Sequence, residues 1–332
     1  MMTQKHENGN SISQVPALHF SPAFSSENPA EAYFLPGTSR HGLISSVHDG
    51  REEYCIDLYV PSGDAPAGGW PVIIALDAGG CFATCVEALG RLARRSDATG
   101  VCQAIVAGIS SPVEGGDGGY DSARRHRDFT SARSDMPSAT DANATDTNSA
   151  PVSPAPPSAS SAERVRPSGG AEAFLDFIEQ DVLAFISAHY PVDARWRTVF
   201  GHSLGGYFTL WAMTQRPDLF NCYAAISPSL WWDWDALVSG LNAAPLVGQR
   251  VMIAVGEWEE ALPPWQVGLP GSAEILARRK KRRMVGRARD MAELVSARLG
   301  PDHVQFYEMP QEDHASIVSG AVPRMLRIAS LR

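Results

Sequence analysis

The segment Arg197-Thr-Val-Phe-Gly201-His202-Ser203-Leu204-Gly205-Gly206-Tyr-Phe-Thr-Leu210 restricts the fold of this chain more than any other stretch. A short β-rich run leads into G-x-S-x-G, and a helix-forming apolar stretch follows. A serine at such a junction sits on a strained strand-to-helix turn, its hydroxyl lifted above the carboxyl end of a sheet. Gly201 and Gly205 leave room for the neighbouring backbone. A helix that begins at Leu204 aims its N-terminal amides at the hydroxyl, so the Leu204 N–H can receive an oxyanion. A bare G-x-S-x-G also occurs in ordinary glycine-rich turns, and it is the flanking strand and helix that separate this one from them.

The rest of the chain supplies the alternation that such a turn needs. Tyr54–Val60 alternates apolar and polar residues and stops at Pro61, as an outer strand would. Pro71–Leu76 and Gln103–Ile109 are continuous apolar runs suited to strands buried on both faces. Arg197–Phe200, Cys222–Ile226, Val251–Val255 and Val304–Tyr307 are further strand candidates. Phe174, Leu175, Phe177, Ile178, Val182, Phe185 and Ile186 recur at helical spacing, which predicts an amphipathic helix over 171–189. Met284–Leu299 and Ala315–Leu331 read the same way. The expected architecture is α/β, a mostly parallel central sheet flanked by helices, of the α/β-hydrolase fold. Residues 1–30 show no periodicity and are expected to be a flexible lead-in to one domain over 31–332. Within it, 131–170 is Ser, Ala, Pro, Asp and Thr with almost no large apolar residue, and is expected to be a disordered insertion.

A serine hydroxyl needs a base, and in this fold the chain order is Ser, acid, His. His303 opens the last strand candidate, where its side chain would point at the sheet face. His314 follows that strand in Glu312-Asp313-His314-Ala315-Ser316, at the loop where the base belongs. For the acid, Gly256-Glu257-Trp258-Glu259-Glu260 follows the strand Val251–Val255. Any of these glutamates could orient the imidazole, and Glu259 is favoured over Asp313, whose side chain should point away from its neighbour's. A second oxyanion donor is expected from Leu76-Asp77-Ala78-Gly79-Gly80, from Ala78, Gly79 or Gly80.

The net charge of -9 disfavours nucleic acid as a partner. Positive charge is nevertheless concentrated in two places, Arg124-Arg125-His126-Arg127 and Arg278-Arg279-Lys280-Lys281-Arg282-Arg283. The second run is read as opening a helix, where a solvated face is the default. The 5 cysteines have no zinc-site spacing, and Cys81 and Cys85 read as packed thiols on a helix, so no metal or cofactor is expected. No apolar run is long enough to span a bilayer, the N-terminal residues lack the pattern of a secretory signal, and a cytoplasmic location is expected.

These residues resemble the esterase D-like branch of the α/β-hydrolases, and in particular the siderophore esterases that cleave the trilactone of enterobactin and salmochelin. The likeness is carried by Leu76-Asp77-Ala78-Gly79, Arg124-Arg125-x-x-Asp128-Phe129-Thr130, Gly169-Gly170-Ala171-Glu172-Ala173-Phe174-Leu175 and the elbow itself. It continues in Ile226-Ser227-Pro228-Ser229-Leu230-Trp231-Trp232-Asp233, Gly256-Glu257-x-Glu259 and Glu312-x-His314-x-Ser316. The resemblance implies a Ser203–His314 pair with Glu259 as acid, and a pocket lined by loops around Arg124, Arg125, Trp231 and Trp232. It departs from the family where the usual Asp-Gly-Asn is Asp77-Ala78-Gly79. The expected activity is hydrolysis of ester or lactone bonds in a catecholate siderophore, with iron present only as part of the substrate. The alternatives are a general carboxylesterase for small acyl or feruloyl esters, a non-catalytic ferric-siderophore binder, and an acyl transferase.

Overall fold

The computed structural model describes residues 35–48, 52–112, 121–132 and 167–331. The expected lead-in over 1–30, and all but the ends of the expected insertion over 131–170, lie outside these residues. Eight strands form one sheet: β1 (Thr38–Ile44), β2 (Glu53–Tyr59), β3 (Trp70–Leu76), β4 (Ile105–Ser110), β5 (Val192–His202), β6 (Cys222–Ile226), β7 (Arg250–Gly256) and β8 (Val304–Met309). Their order across it is β1-β2-β4-β3-β5-β6-β7-β8. β2 is antiparallel to both β1 and β4, and every pairing from β4 to β8 is parallel. This is the α/β-hydrolase fold.

Parallel strands covered on both faces must be apolar on both, and the side chains of β3 divide accordingly. Val72, Ile74 and Leu76 join one buried layer, and Ile73 and Ala75 join the other. The second layer is closed by α1 (Ala78–Leu92), through Phe82, Cys85 and Leu89, and by the C-terminal helix α10 (Ile317–Ser330), through Val322 and Met325. Burial pushes the Cys85 thiol up to about 12, which suits an inert packing residue.

Four helical elements close the opposite face. α4 (Ala171–Phe177) runs through a π-helical stretch, Ile178–Leu183, into α5 (Ala184–His189), so the predicted helix over 171–189 is one continuous rod. The others are α6 (Leu204–Gln215), α7 (Trp234–Ala243) and α9 (Met284–Leu299). Every residue of α6 before Gln215 is buried. That is why this helix has an apolar stretch without an amphipathic period.

The sequence reading did not anticipate β1. Its Thr-Ser-Arg-His-Gly content lacks apolar alternation, and the strand is held at the sheet edge by pairing with β2 and by the Arg40–Asp57 ion pair at 2.6 Å. β5 begins earlier than expected because a bulge lets Trp70 pair with Val192 and Val72 with Arg197. The basic run 278–283 is placed differently as well. It ends α8 (Ser272–Arg282), and Arg283, at φ 50, turns the chain into α9. The short α2 (Ser96–Thr99) leads into β4, while α3 (Ser122–Asp128) carries the first basic cluster.

The crossing of α6 over β5 is what makes the elbow possible, and it depends on Gly201. A Cβ there would lie 2.4 Å from the backbone carbonyl of Gly205. Gly201→Ala is therefore expected to cost about 3 kcal/mol or more. Gly90→Ala, in α1 with nothing within 4 Å, should instead stabilise by roughly 0.5–1 kcal/mol. Denaturant midpoints of the two variants measure both.

Candidate active site

Each candidate side chain leaves the sheet at the carboxyl end of a parallel strand, the edge where open α/β sheets bind ligands. Asp77 follows β3, Ser203 follows β5, Ser227 follows β6, Glu259 lies just past β7, and His314 lies past β8. Ser203 takes φ 61 and ψ -117, a conformation that L-residues rarely adopt. Backbone hydrogen bonds hold it there. Its N–H donates to Ile226 O at 3.0 Å, and its carbonyl accepts from Tyr207 N and Ser229 N, each at 3.0 Å.

The Ser203 hydroxyl lies 3.0 Å from His314 Nε2, and His314 Nδ1 lies 2.7 Å from Glu259 Oε2. Glu259 is 4% exposed, and its other oxygen accepts from Gly256 N at 2.8 Å and Ser227 Oγ at 2.5 Å. The other acids considered from sequence have different partners. Glu257 accepts from Gln311 N, Glu260 from Gly286 N, and Asp313 from the amides of Ala315 and Ser316. His303 lies before β8 with Nδ1 at 3.2 Å from Gln249 O, at the amino end of the strand rather than the carboxyl edge that carries the elbow.

His202, within the elbow, has a function the sequence did not disclose. Its Nε2 lies 2.6 Å from the carbonyl of His314, so that nitrogen carries the proton and donates. The two imidazoles stand 4.5 Å apart. Desolvation of the His202 ring, reinforced by the potentials of His314 and Arg125, holds its pKa well below the usual 6.5. The neutral ring ties the loop of His314 to the turn of Ser203.

Asp77 has φ 57 and begins α1. The amides of Ala78 and Gly79 belong to the first turn and have no acceptor within the helix. Gly80 N is already committed to Asp77 O at 2.9 Å. Together with Leu204 N at the start of α6, Ala78 and Gly79 are the candidate oxyanion donors.

Arg124 and Arg125, expected to line the pocket, have partners within the fold. Arg125 Nε donates to both carboxylate oxygens of Asp77 at 2.9 Å, and its Nη2 donates to His202 O at 3.3 Å. It braces the two turns against each other. Arg124 lies 3.9 Å above the ring of Tyr54 and pairs with Glu52 and Asp128, so its charge is met inside the fold. Trp232 is buried, edge-on to His126 at 4.8 Å. Trp231 is partly exposed, and the cation beside it is Arg282, with Cζ 4.8 Å from the ring centroid. Arg279, one turn earlier in α8, donates to Ala261 O at 2.6 Å, in the loop that follows Glu259.

Fold and site together define a carboxylic ester hydrolase of the serine type. Residues 51–315 match the family described as "Putative esterase", and the chain belongs to that family. It is similar to the ferri-bacillibactin esterase BesA of Bacillus subtilis (strain 168), with 31% identity over 318 residues, 90% of this chain and 92% of that one. It is also similar to the siderophore triacetylfusarinine C esterase of Aspergillus fumigatus, with 30% identity over 268 residues, 78% and 81% of the two chains. Among solved structures, the siderophore hydrolase EstB from Aspergillus nidulans matches with a TM-score of 0.71 at 26% identity, covering 90% of this chain and 96% of that one.

The depressed His202 pKa links folding to pH. Below about pH 6.5 the unfolded chain takes up a proton at this imidazole and the folded chain does not. The stability contributed by the neutral ring is therefore complete above that pH and is lost as pH falls. The loss approaches about 1.4 kcal/mol per pH unit. His202→Gln keeps an Nε2 donor without titrating. Its denaturation midpoint should fall less than that of the wild type between about pH 6.5 and pH 5.

Proposed function

We propose that this enzyme hydrolyses the ester or lactone bonds of a ferric siderophore of the catecholate trilactone class, freeing iron after uptake. The observation that carries the reading is a Ser–His–Glu relay, with an aromatic and cationic wall formed by Trp231 and Arg282, in an acidic protein. A ferric tris-catecholate is a flat-faced trianion, which suits the ring of Trp231 and the guanidinium of Arg282 above it. Arg279 adds positive potential near Glu259 and Asp313. Relatives named for ferri-bacillibactin and triacetylfusarinine C support hydrolysis of a siderophore ester.

In the proposed mechanism His314 Nδ1–H donates to Glu259, which leaves Nε2 to accept the Ser203 proton. Ser203 Oγ bonds to the ester carbon as its proton passes to Nε2, and the carbonyl π pair moves onto the carbonyl oxygen. Amides of Leu204 and the Ala78–Gly79 turn receive that oxyanion. Collapse breaks the bond to the alcohol, which takes the proton from His314. Water then repeats the sequence on the acyl-enzyme and releases the acid and Ser203. Glu259, held by Gly256 N and Ser227 Oγ, keeps the imidazole in the required tautomer.

The test is hydrolysis of a ferric tri-catecholate trilactone beside p-nitrophenyl butyrate. Ser203→Ala is expected to lower turnover of both by roughly a million-fold. The trilactone should be cleaved with much the higher kcat/KM. Cleavage of the small ester alone would leave a general carboxylesterase, and serine-independent turnover would remove Ser203 from the mechanism. Arg282→Gln should raise KM for the trianion roughly tenfold, about 1.4 kcal/mol, and leave p-nitrophenyl butyrate unaffected.

A further inference from the structure

The block Ser227-Pro228-Ser229 stands out in the sequence, and the mechanism above uses only its first hydroxyl, as a prop. The strand it follows, β6, lies beside β5 in the sheet, so its turn emerges next to the elbow. Ser227 is fully buried and holds φ 46, a conformation that glycine would adopt without strain. Its N–H donates to Ala254 O at 2.7 Å, which fixes the turn to β7, and its Oγ then reaches Glu259 Oε1 at 2.5 Å. Ser229 is 3% exposed, with Oγ 3.2 Å from Ser203 Oγ and its N–H bonded to Ser203 O. One three-residue turn therefore touches both ends of the relay, the acid and the nucleophile.

We infer that this turn is a working part of the catalytic machinery: Ser229 is a catalytic hydrogen-bond donor to Ser203 Oγ, and Ser227 is a positioning residue for Glu259. The inference rests on Ser203 being the nucleophile. Proton counting sets the direction at Ser229. The single proton of Ser203 must point to His314 Nε2, so the contact with Ser229 is made by the Ser229 proton donated to a lone pair of Ser203 Oγ. During acylation the Ser203 proton moves to Nε2 and the Oγ–C bond forms. In the interval Oγ carries extra electron density, and the buried Ser229 O–H stabilises it. During deacylation the C–Oγ bond breaks, its electron pair returns to Oγ, and His314 returns the proton, with Ser229 donating throughout. Ser229 keeps its own proton in every step. A buried donor already aimed at the atom where charge develops needs no reorganisation during the reaction. Ser227 acts through the carboxylate. With Gly256 N it holds Oε1, and this leaves Oε2 turned to His314 Nδ1.

The experiment compares wild type, Ser229→Ala, Ser227→Gly and Ser203→Ala in p-nitrophenyl butyrate kinetics, in the rate of Ser203 labelling by a fluorophosphonate, and in Tm. Ser229→Ala is expected to lower kcat roughly 10- to 100-fold and to slow labelling in parallel, with KM and Tm near wild type. Ser227→Gly keeps the left-handed turn and removes only the hydroxyl. It should lower kcat roughly 3- to 10-fold at unchanged KM, with Tm equal or higher. Wild-type kcat and labelling in both variants would overturn the inference. So would losses confined to KM, or losses that follow a fall in Tm, since these are what a merely structural turn would give. If wild-type enzyme is not labelled at Ser203, or Ser203→Ala retains turnover, the nucleophile assignment itself fails and the inference falls with it.

Discussion

The backbone of Ser203 is forced into positive φ where β5 meets α6, and the same constraint recurs along the edge of the sheet. Asp77 after β3, Ser227 after β6 and Gln311 after β8 are also non-glycine residues with φ between 46 and 61. Residues in such conformations cost of order 1–3 kcal/mol each and persist only where the surroundings overdetermine them. Here the surroundings are the sheet itself. Ser203 N bonds to the carbonyl of Ile226, the last residue of β6, and Ser227 N bonds to the carbonyl of Ala254 in β7. The turns at Ser203 and Ser227 are thus anchored on the neighbouring strands. The strain is borne by the parallel ladder, whose strands are buried on both faces.

This anchoring makes the chemistry rigid. Side chains that must meet within 3.0 Å come from positions as far apart as 203, 259 and 314, and each is placed by a strand end. Cross-links between the turns complete the frame. Arg125 joins Asp77 to the carbonyl of His202, the His202 ring joins the elbow to the carbonyl of His314, and Trp258 N joins the acid loop to Glu312 O. Gly256 is needed for the last of these, because a Cβ there would meet Glu312 O at 2.5 Å. The charges in this frame are paired or neutralised: Arg125 is spent on Asp77, and His202 is kept uncharged.

What was legible in the sequence follows from this arrangement. The elbow could be read because its requirements are local: two glycines, a serine, and a strand and helix on either side. His314 could be read from chain order. Glu259 stood among several acids because loop residues beyond a strand end have no periodicity to say which one turns inward. In the structure the choice is made by Gly256 N and Ser227 Oγ, which hold one oxygen and leave the other to the histidine. Ser229 and His202 were invisible as contributors because their partners lie across the sheet. Knowing that β6 neighbours β5 would have exposed Ser229. The partners of Arg124 and Arg125 were hidden for a related reason. A basic cluster looks available until Glu52 and Asp77, brought in from elsewhere in the chain, and Asp128 of the same helix are seen to engage it. β1 was missed because an edge strand satisfied by pairing needs little apolar alternation.

The catalytic groups and the proposed recognition surface rest on different supports. The relay sits on strand ends in the interior, whereas Arg279 and Arg282 come from α8, a helix with no buried residue. A helix that contributes nothing to the core is free to change its surface residues without disturbing packing, since substitutions away from buried features usually shift stability only slightly. Its position is still fixed. The Arg279 bond to Ala261 O and the Arg282 contact with Trp231 tie it to the two loops that carry the acid and the Ser-Pro-Ser turn. The wall proposed for the substrate is therefore registered against the nucleophile through the same turns that position the catalytic groups. With the proposed wall, surface changes on α8 alter substrate preference while the distance from Ser203 to His314 stays where the sheet sets it.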